Sequence, residues 1–244
     1  MGPDVLKVEL HTHTADDPLD RITYSTIDLI DRAAALGYDA LAVTLHDRQL
    51  DLEPFRAHAE QSGIVLIPGI ERTIEGKHVL LLNFRSGTES VRTFEDLALL
   101  RRRERGLVVA PHPFFPGSSP LRGQLTRHAD LFDAVEYNAM FTKAVNFNRI
   151  AEWWAREHGK PLVGNGDVHL LEQLGSTYSL VDADRDAGAI CEAVARGRVQ
   201  VMATPHSTVR AAWLFSRMAI GTAIPARVRT DAVGADLQVR PRIS

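Results

Sequence analysis

Val5-Leu6-Lys7-Val8-Glu9-Leu10-His11-Thr12-His13 is the stretch that decides how the rest of the chain is read. Its apolar residues predict a short strand, and that strand delivers two histidines, one residue apart, at its C-terminal end. Side chains alternate between the two faces of a strand, so His11 and His13 point the same way and lie close enough to share one metal ion. Neutral imidazole is the commonest nitrogen ligand of metals, so His-x-His reads as a ligand pair once other donors join it.

Outward from this strand the same arrangement repeats. The turn-rich Thr14-Ala15-Asp16-Asp17-Pro18 leads to a helix that starts at Ser25 or Thr26 and stops at Gly37, with Ile27, Ile30, Ala34 and Leu36 as its apolar face. Residues 40–44 read as a buried strand ending at Leu45-His46-Asp47, and a helix over 52–62 leads to a strand over 64–70 whose end carries Glu71. Gly76 opens a return strand, 78–82, that begins with His78 and pairs with its predecessor. Thr93 caps a helix running through Arg101-Arg102-Arg103, read as a solvated face, to Gly106. The strand 107–110 ends in Pro111-His112-Pro113, and 133–138 forms a sixth strand carrying Glu136, which is kept out of the ligand set as a candidate supporting partner. After a helix over 146–158, with Ile150, Trp153 and Trp154 read as core, Pro161 begins a seventh strand ending in Asn165-Gly166-Asp167-Val168-His169. Strands at 177–181 and 199–202 flank a helix at 186–196 and read as an appendage closing the fold. Residues 1–224 are thus expected to form one domain with its core at about 5–200, and 225–244 a loosely held tail.

Strand followed by helix, repeated about seven times, predicts an α/β fold with a parallel sheet and helices outside it. In barrels of this kind the reactive groups sit at the C-terminal ends of the strands, where these donors fall. Six of the ten histidines, with Glu71, Asp167 and either Asp16 or Asp17, make nine donors for one mouth. One ion of four to six coordination cannot use nine, so the count points to two or three divalent ions bridged by a carboxylate.

Composition narrows the partners. A net charge of −3 argues against coating nucleic acid by bulk electrostatics, and no apolar run is long enough to span a bilayer, so no membrane partner is expected. Met1-Gly2-Pro3-Asp4 lacks the succession of a secretory signal, and the expected location is cytoplasmic. The single cysteine, Cys191, reads as a buried inert thiol in a helix. There is no Gly-x-Ser-x-Gly elbow and no Walker-type loop, so a protein nucleophile is not expected.

At these residues the chain resembles the polymerase and histidinol phosphatase family, the PHP domain. The motifs carrying the resemblance are His11-Thr12-His13, Thr44-Leu45-His46-Asp47, Gly69-Ile70-Glu71, His112-Pro113 and Gly164-Asn165-Gly166-Asp167-Val168-His169, in the family's order over about 5–200. The resemblance implies a distorted, TIM-like (β/α)7 barrel with a trinuclear centre of zinc, manganese or iron. It gives one metal to His11, His13, Glu71 and Asp167, a second to Glu71, His78 and His112, and a third to the early aspartate, His46 and His169. For that aspartate Asp17 is preferred to Asp16.

The implied activity is that of a metal-dependent phosphoric ester hydrolase acting on a phosphomonoester or nucleotide, a small phosphorylated substrate, by a metal-bridged water held by Glu71 and Asp167. The alternatives are an exoribonuclease-type nuclease on short oligonucleotides and a non-catalytic binding domain. Arg48, Arg72, Lys143 and Arg149 lie near strand ends as candidates to clamp a substrate tail, with plain solvent exposure the simpler reading. One departure bears on the third metal: the family's usual Thr-Asp-His-Asp has Leu45 at its second position, which predicts that a carboxylate orienting His46 is missing unless a backbone carbonyl or Asp47 replaces it.

Overall fold

Residues that alternate along the chain end up on opposite sides of one nine-stranded sheet, which curls into a barrel in the computed structural model. The structure describes residues 4–223; the tail expected from 225 lies outside them. In chain order the elements are β1 (Asp4–Glu9), α1 (Thr26–Ala35), β2 (Ala40–Val43), α2 (Arg56–Gln61), β3 (Val65–Ile74), β4 (Lys77–Leu82), α3 (Phe94–Arg103), β5 (Leu107–Ala110), α4 (Gly123–Arg127), β6 (Ala134–Asn138), α5 (Asn148–Glu157), β7 (Leu162–Asn165), β8 (Thr177–Ala183), α6 (Ala187–Ala195), β9 (Val199–Ala203) and α7 (Thr208–Ala223).

Helix boundaries follow local chemistry. Ser25 and Thr93 cap α1 and α3, each in a reciprocal capping box with the aspartate three residues on, Asp28 and Asp96. Such a cap contributes about 1 kcal/mol by satisfying amide donors that the first turn leaves unpaired. The buried face of α1 is Thr26, Leu29, Ile30 and Ala33, rotated from the face read in the sequence.

The sheet order is β7-β6-β5-β4-β3-β2-β1-β8-β9. β1, β2 and β3 run parallel, as do β5, β6 and β7. β4 lies antiparallel to both neighbours, because a tight hairpin at Glu75-Gly76 leaves no room for a crossover helix between β3 and β4. This is the return strand expected from Gly76. The expectation of a parallel sheet fails at β8 and β9, which are no appendage: β8 pairs antiparallel with β1, and β9 with β8.

Closure uses two devices. At the upper end Val168 N–H donates to His11 O at 3.1 Å and His13 N–H to Val168 O at 3.0 Å, which joins the segment after β7 to the segment after β1. Lower down Ser179 of β8 exchanges hydrogen bonds with the backbone of Gly164. Gly164 permits that approach, since a Cβ there would sit 2.6 Å from the Tyr178 carbonyl oxygen.

Leu6, Val8, Ala40, Ala42, Ile67, Leu80, Leu82, Leu107, Val109, Ala134 and Val163 fill the interior with Ile190, Cys191, Ala193 and Val194 of α6. Gly188 of α6 lies against Asn83, just past β4, so the helix plugs the barrel at the end away from the histidines. The alternate residues face outward: Leu41 and Val43 pack on α1, and Val79, Leu81, Val108 and Val135 pack with Leu97, Leu100 and Trp154. Trp154 is core as read, but Ile150 and Trp153 are about half exposed, on the solvent side of α5. Cys191 is buried, as expected, and Arg101 leaves the basic face to make a bidentate ion pair with Asp133 at 2.6 and 2.8 Å. No described helix is long and apolar enough to cross a membrane.

Candidate metal centre

β1 breaks its own alternation to make the centre. Leu6, Val8 and Leu10 belong to the interior, so strict alternation would turn His11 and His13 outward. The ladder with β2 stops at Glu9, whose carboxylate accepts the His11 N–H at 3.1 Å and the Gly166 N–H at 2.9 Å. After that change of phase His11 and His13 point inward together, and both Nε2 atoms reach Glu71 Oε2, at 3.2 and 3.3 Å.

All nine residues singled out in the sequence gather here. His46 follows β2, Glu71 lies within β3, His78 begins the reversed β4, His112 follows β5, and Asp167 and His169 follow β7. Glu71 is the hub: Oε2 lies 3.1 Å from His46 Nε2, and Oε1 lies 2.7 Å from His78 Nδ1 and 3.1 Å from His112 Nε2. Asp167 Oδ1 lies 3.4 Å from His11 Nε2 and 3.7 Å from His13 Nε2. Donor atoms of His11, Glu71 and His112, of His46, Glu71 and His78, of His11, His13 and Asp167, and of His13, His46 and His169 each lie within 4.8 Å of one another.

Asp17 stands behind the imidazoles. Its Oδ2 accepts from His13 Nδ1 at 2.9 Å, His46 Nδ1 at 3.0 Å and the His46 backbone N–H at 2.9 Å, and its Oδ1 accepts from the N–H groups of Leu19 and Asp20 at 2.9 and 3.0 Å. The acceptor whose absence Leu45 implied is thus present as Asp17. Leu45 itself is fully buried among Leu29, Ile30 and Leu41, on the outer side of β2.

Two residues outside the expected ligand set complete the arrangement. Asp20 Oδ2 faces His169 Nε2 at 2.9 Å. Glu136, expected to support the ligands rather than bind metal, joins four strand ends: Oε1 takes His11 Nδ1 at 2.8 Å and Asn165 Nδ2 at 3.0 Å, and Oε2 takes the His112 N–H at 2.7 Å and Asn138 Nδ2 at 3.2 Å. Its position inward on β6, two residues before Asn138, was the available signal. Nothing in the sequence marked Asp20.

The backbone is held in unfavourable conformations at or beside the donors. Asp47, His112 and Asp167 have φ of 53°, 31° and 48°. Such residues cost on the order of 1–3 kcal/mol each and persist where surrounding bonds fix them. Here the Asp47 N–H is tied to Glu71 O at 2.9 Å, the His112 N–H to Glu136, and Asp167 O to Gln173 Nε2 at 3.1 Å.

Proton counting shows that the set fits cations. A neutral imidazole has one N–H, yet His11, His13, His46 and His169 each have a carboxylate or carbonyl oxygen within 3.3 Å of both ring nitrogens. Nδ1–H goes outward to Glu136, to Asp17 twice, and to the Asp167 carbonyl, which leaves each Nε2 lone pair aimed at carboxylate lone pairs. The Nε2 atoms of His11 and His13 are buried and have no hydrogen-bond partner. A cation between these atoms removes the conflict. Ligand bonds of about 2.0–2.2 Å place tetrahedral donors roughly 3.3–3.6 Å apart, close to the separations around His11, His13, Glu71 and Asp167.

The electrostatics agree. Burial alone would depress the His46 pKa, but Glu71, Asp17 and Asp20 outweigh it and lift it to about 9. His11 is likewise held above its usual range against burial by Asp167, Glu136 and Glu71. Burial would raise the Glu71 carboxyl, and His11, His78 and His46 hold it well below the usual range instead. His13 is lowered, by burial and by His169 and His46. Glu9, sealed beneath the centre, is pushed up to about 8 by burial. The pocket's carboxylates favour positive charge, which protons or divalent cations can supply.

The basic residues read as a clamp do not act together. Arg72 is buried, with Nε on Val91 O at 2.6 Å and a terminal nitrogen on Asp47 at 2.6 Å, while Lys143 and Arg149 are exposed. Of the histidines without a motif, His58 pairs with Asp31 at 2.6 Å, and His128 and His158 stack on Phe94 and Trp154. His206 is buried, and its backbone N–H donates to Phe141 O at 2.9 Å. A groove of about 700 Å³ runs along the outside of β3 past Leu66, Pro68 and Arg185 and contains none of the centre's residues.

A family model described as PHP-associated matches residues 145–199, the segment that carries Asp167 and His169. No curated protein matches the sequence. Among solved structures the chain is similar to a two-domain protein from Bacteroides vulgatus containing a predicted PHP-like metal-dependent phosphoesterase, at 19% identity and TM-score 0.64, over 83% of this chain and 67% of that one. It is similar to PsfC from Pseudomonas syringae at 18% identity and TM-score 0.58, over 91% of this chain and 99% of that one. It is also similar to the lesion-specific endonuclease Q of Pyrococcus furiosus at 16% identity and TM-score 0.56, over 87% of this chain and 66% of that one. The fold and the 145–199 segment are PHP-like.

Proposed function

We propose that this chain is a metal-dependent phosphoesterase that hydrolyses a phosphomonoester or nucleotide at a centre of two or three divalent cations. The observation that carries the reading is the sorting of the imidazoles, with outer nitrogens on hydrogen-bond acceptors and inner nitrogens facing Glu71, Asp167 and Asp20. The first position belongs to His11, His13, Glu71 and Asp167, and the second to Glu71, His78 and His112. The third belongs to His46 and His169 with an aspartate of the segment after His13. Zinc, manganese and iron all suit this imidazole and carboxylate mixture.

When bound, the cations supply Lewis-acid charge for a phosphoryl group and activation of water. The chain's own part is to hold the donors rigid from one side and leave the other side open. His11, His13 and Glu71 are fully buried, whereas the side chains of His78, His112, Asp167 and His169 keep 12–19% of their surface exposed, which marks where a phosphate enters.

A nuclease is the second reading, supported by the likeness in fold to endonuclease Q, one structure of which holds a 27-mer duplex with an abasic lesion at its active site. The chain's net negative charge favours the small substrate. Metal-loaded protein assayed against phosphomonoesters, nucleotides, short oligonucleotides and abasic duplex separates the two. Metal-dependent turnover of the first two classes supports the first reading, cleavage confined to the polymers supports the second, and no turnover of any class with a fully loaded centre overturns both.

A further inference from the structure

We propose that Asp20 supplies the carboxylate for the third cation, beside His46 and His169, and that Asp17 is a positioning residue that orients His13 and His46 simultaneously. The inference rests on the proposed multinuclear centre and concerns which of its aspartates does what.

The argument is one of lone pairs. A carboxylate oxygen accepts about two hydrogen bonds in its plane. Asp17 Oδ2 already takes three, from His13 Nδ1, His46 Nδ1 and the His46 N–H, and Oδ1 takes two from Leu19 and Asp20. The Asp17 side chain is fully buried, and a cation on either oxygen would have to displace a bond that fixes a histidine or shapes the Pro18 turn. Asp20 is built the opposite way. Its side chain is 17% exposed, Oδ2 lies 2.9 Å from His169 Nε2, and Oδ1 accepts no hydrogen bond among the described residues; the 3.7 Å approach of Oδ2 to His46 is to Nδ1, whose proton goes to Asp17, so His46 would join the cation through Nε2.

His169 supports the same assignment. Its Nδ1 lies 3.1 Å from the Asp167 carbonyl oxygen, which accepts only an N–H, so in the neutral ring Nε2 presents a lone pair to Asp20 Oδ2. A lone pair and a carboxylate oxygen facing each other are two donors to one cation. The turn Asp17-Pro18-Leu19-Asp20 thus puts one carboxylate behind the imidazoles and the next in front of them. That Asp17 serves two histidines explains how His46 is oriented with Leu45 before it.

The test is cation stoichiometry and affinity on the full chain, by calorimetric titration of chelator-stripped protein with zinc or manganese and elemental analysis of the product. Wild type is expected to take three cations. Asp20→Asn should take two, with the remaining affinities altered less than about threefold, and Asp20→Glu should restore the third. Asp17→Asn should weaken two positions by roughly 10- to 100-fold each, because His13 belongs to one and His46 to another. Three cations in Asp20→Asn, or loss of a single cation in Asp17→Asn with the others untouched, overturns the assignment. A wild type that takes only two also overturns it while leaving the proposed function standing, whereas a wild type that takes none removes that function as well. Should Asp17→Asn fail to fold, the Asn and Glu variants of Asp20 decide alone.

Discussion

The two sides of the centre are held differently. On the β1 and β2 side, His11, His13 and His46 each pass Nδ1 to a buried carboxylate, Glu136 or Asp17, and are nearly or wholly buried. On the β4 and β5 side, His78 and His112 touch Glu71 through one nitrogen, and the other has no hydrogen-bond partner among the described residues. A braced imidazole is pre-oriented and more basic, while an unbraced one reorients more readily and leaves space for what arrives. One half of the centre fixes charge and the other half admits it.

The harshest way to break this comparison is to remove what both halves share. Glu71→Gln should cost the first and second cations together and lower metal-dependent hydrolysis by about 10³-fold, the size of losing a principal electrostatic group. Retention of both cations in that variant would show that the halves are independent.

Next in size is Glu136→Gln, which keeps the shape but weakens the acceptor for His11 and for the His112 N–H. First-position affinity should fall by roughly 10- to 100-fold, read by competition with a chromogenic chelator. An unchanged affinity would mean that packing alone orients His11.

A graded chelator titration of the native chain sharpens the comparison further. The cation at His78 and His112 should leave first, and His78→Ala should remove that first step while leaving the later ones within about threefold. If the step persists in His78→Ala, bracing does not rank the positions.

The smallest effect is that of pH on the stripped protein. The folded pKa of His46 is raised to about 9 and that of Glu9 to about 8, so each contributes stability that is fully present below its unfolded value and lost as pH rises through the folded one. Between pH 6.5 and 9 the melting temperature of stripped protein should fall by a few degrees. Added zinc should reverse the trend, because its binding displaces protons and tightens as pH rises. A flat profile for stripped protein would show that neither His46 nor Glu9 holds its proton beyond the ordinary range.

Much of this was legible before any coordinates. The first seven strands could be read because each alternates or runs apolar for four to six residues, and most end on a donor, as at His46, His112 and Asp167. Even the reversed β4 shows, since Glu75-Gly76 is too short for a crossover. What escaped lies in relations between distant segments. β8 and β9 look peripheral because nothing local announces pairing with β1, and α7 has no capping signal that the reading recognised. Asp20 carries no motif, and its meaning depends on Asp17 being saturated by donors from two strands. Leu45 misled for a similar reason: a missing neighbour in sequence was replaced by a neighbour in space. Leu45→Asp would place a charge in the outer apolar layer and should cost roughly 2–4 kcal/mol of stability without tightening any cation, which thermal denaturation and titration would show.

The hairpin between β3 and β4 sets a parity for the centre. Because β4 runs backwards, its donor comes at the start of the strand, and His78 shares the inward face with Leu80 and Leu82 by even spacing. Glu71 and His78 are therefore phased through a two-residue turn, like two marks on a folded ruler. Lengthening the fold by two residues at the turn should keep both marks on the inner edge, whereas adding one should swing His78 to the outer layer and leave the proposed second cation with only Glu71 and His112.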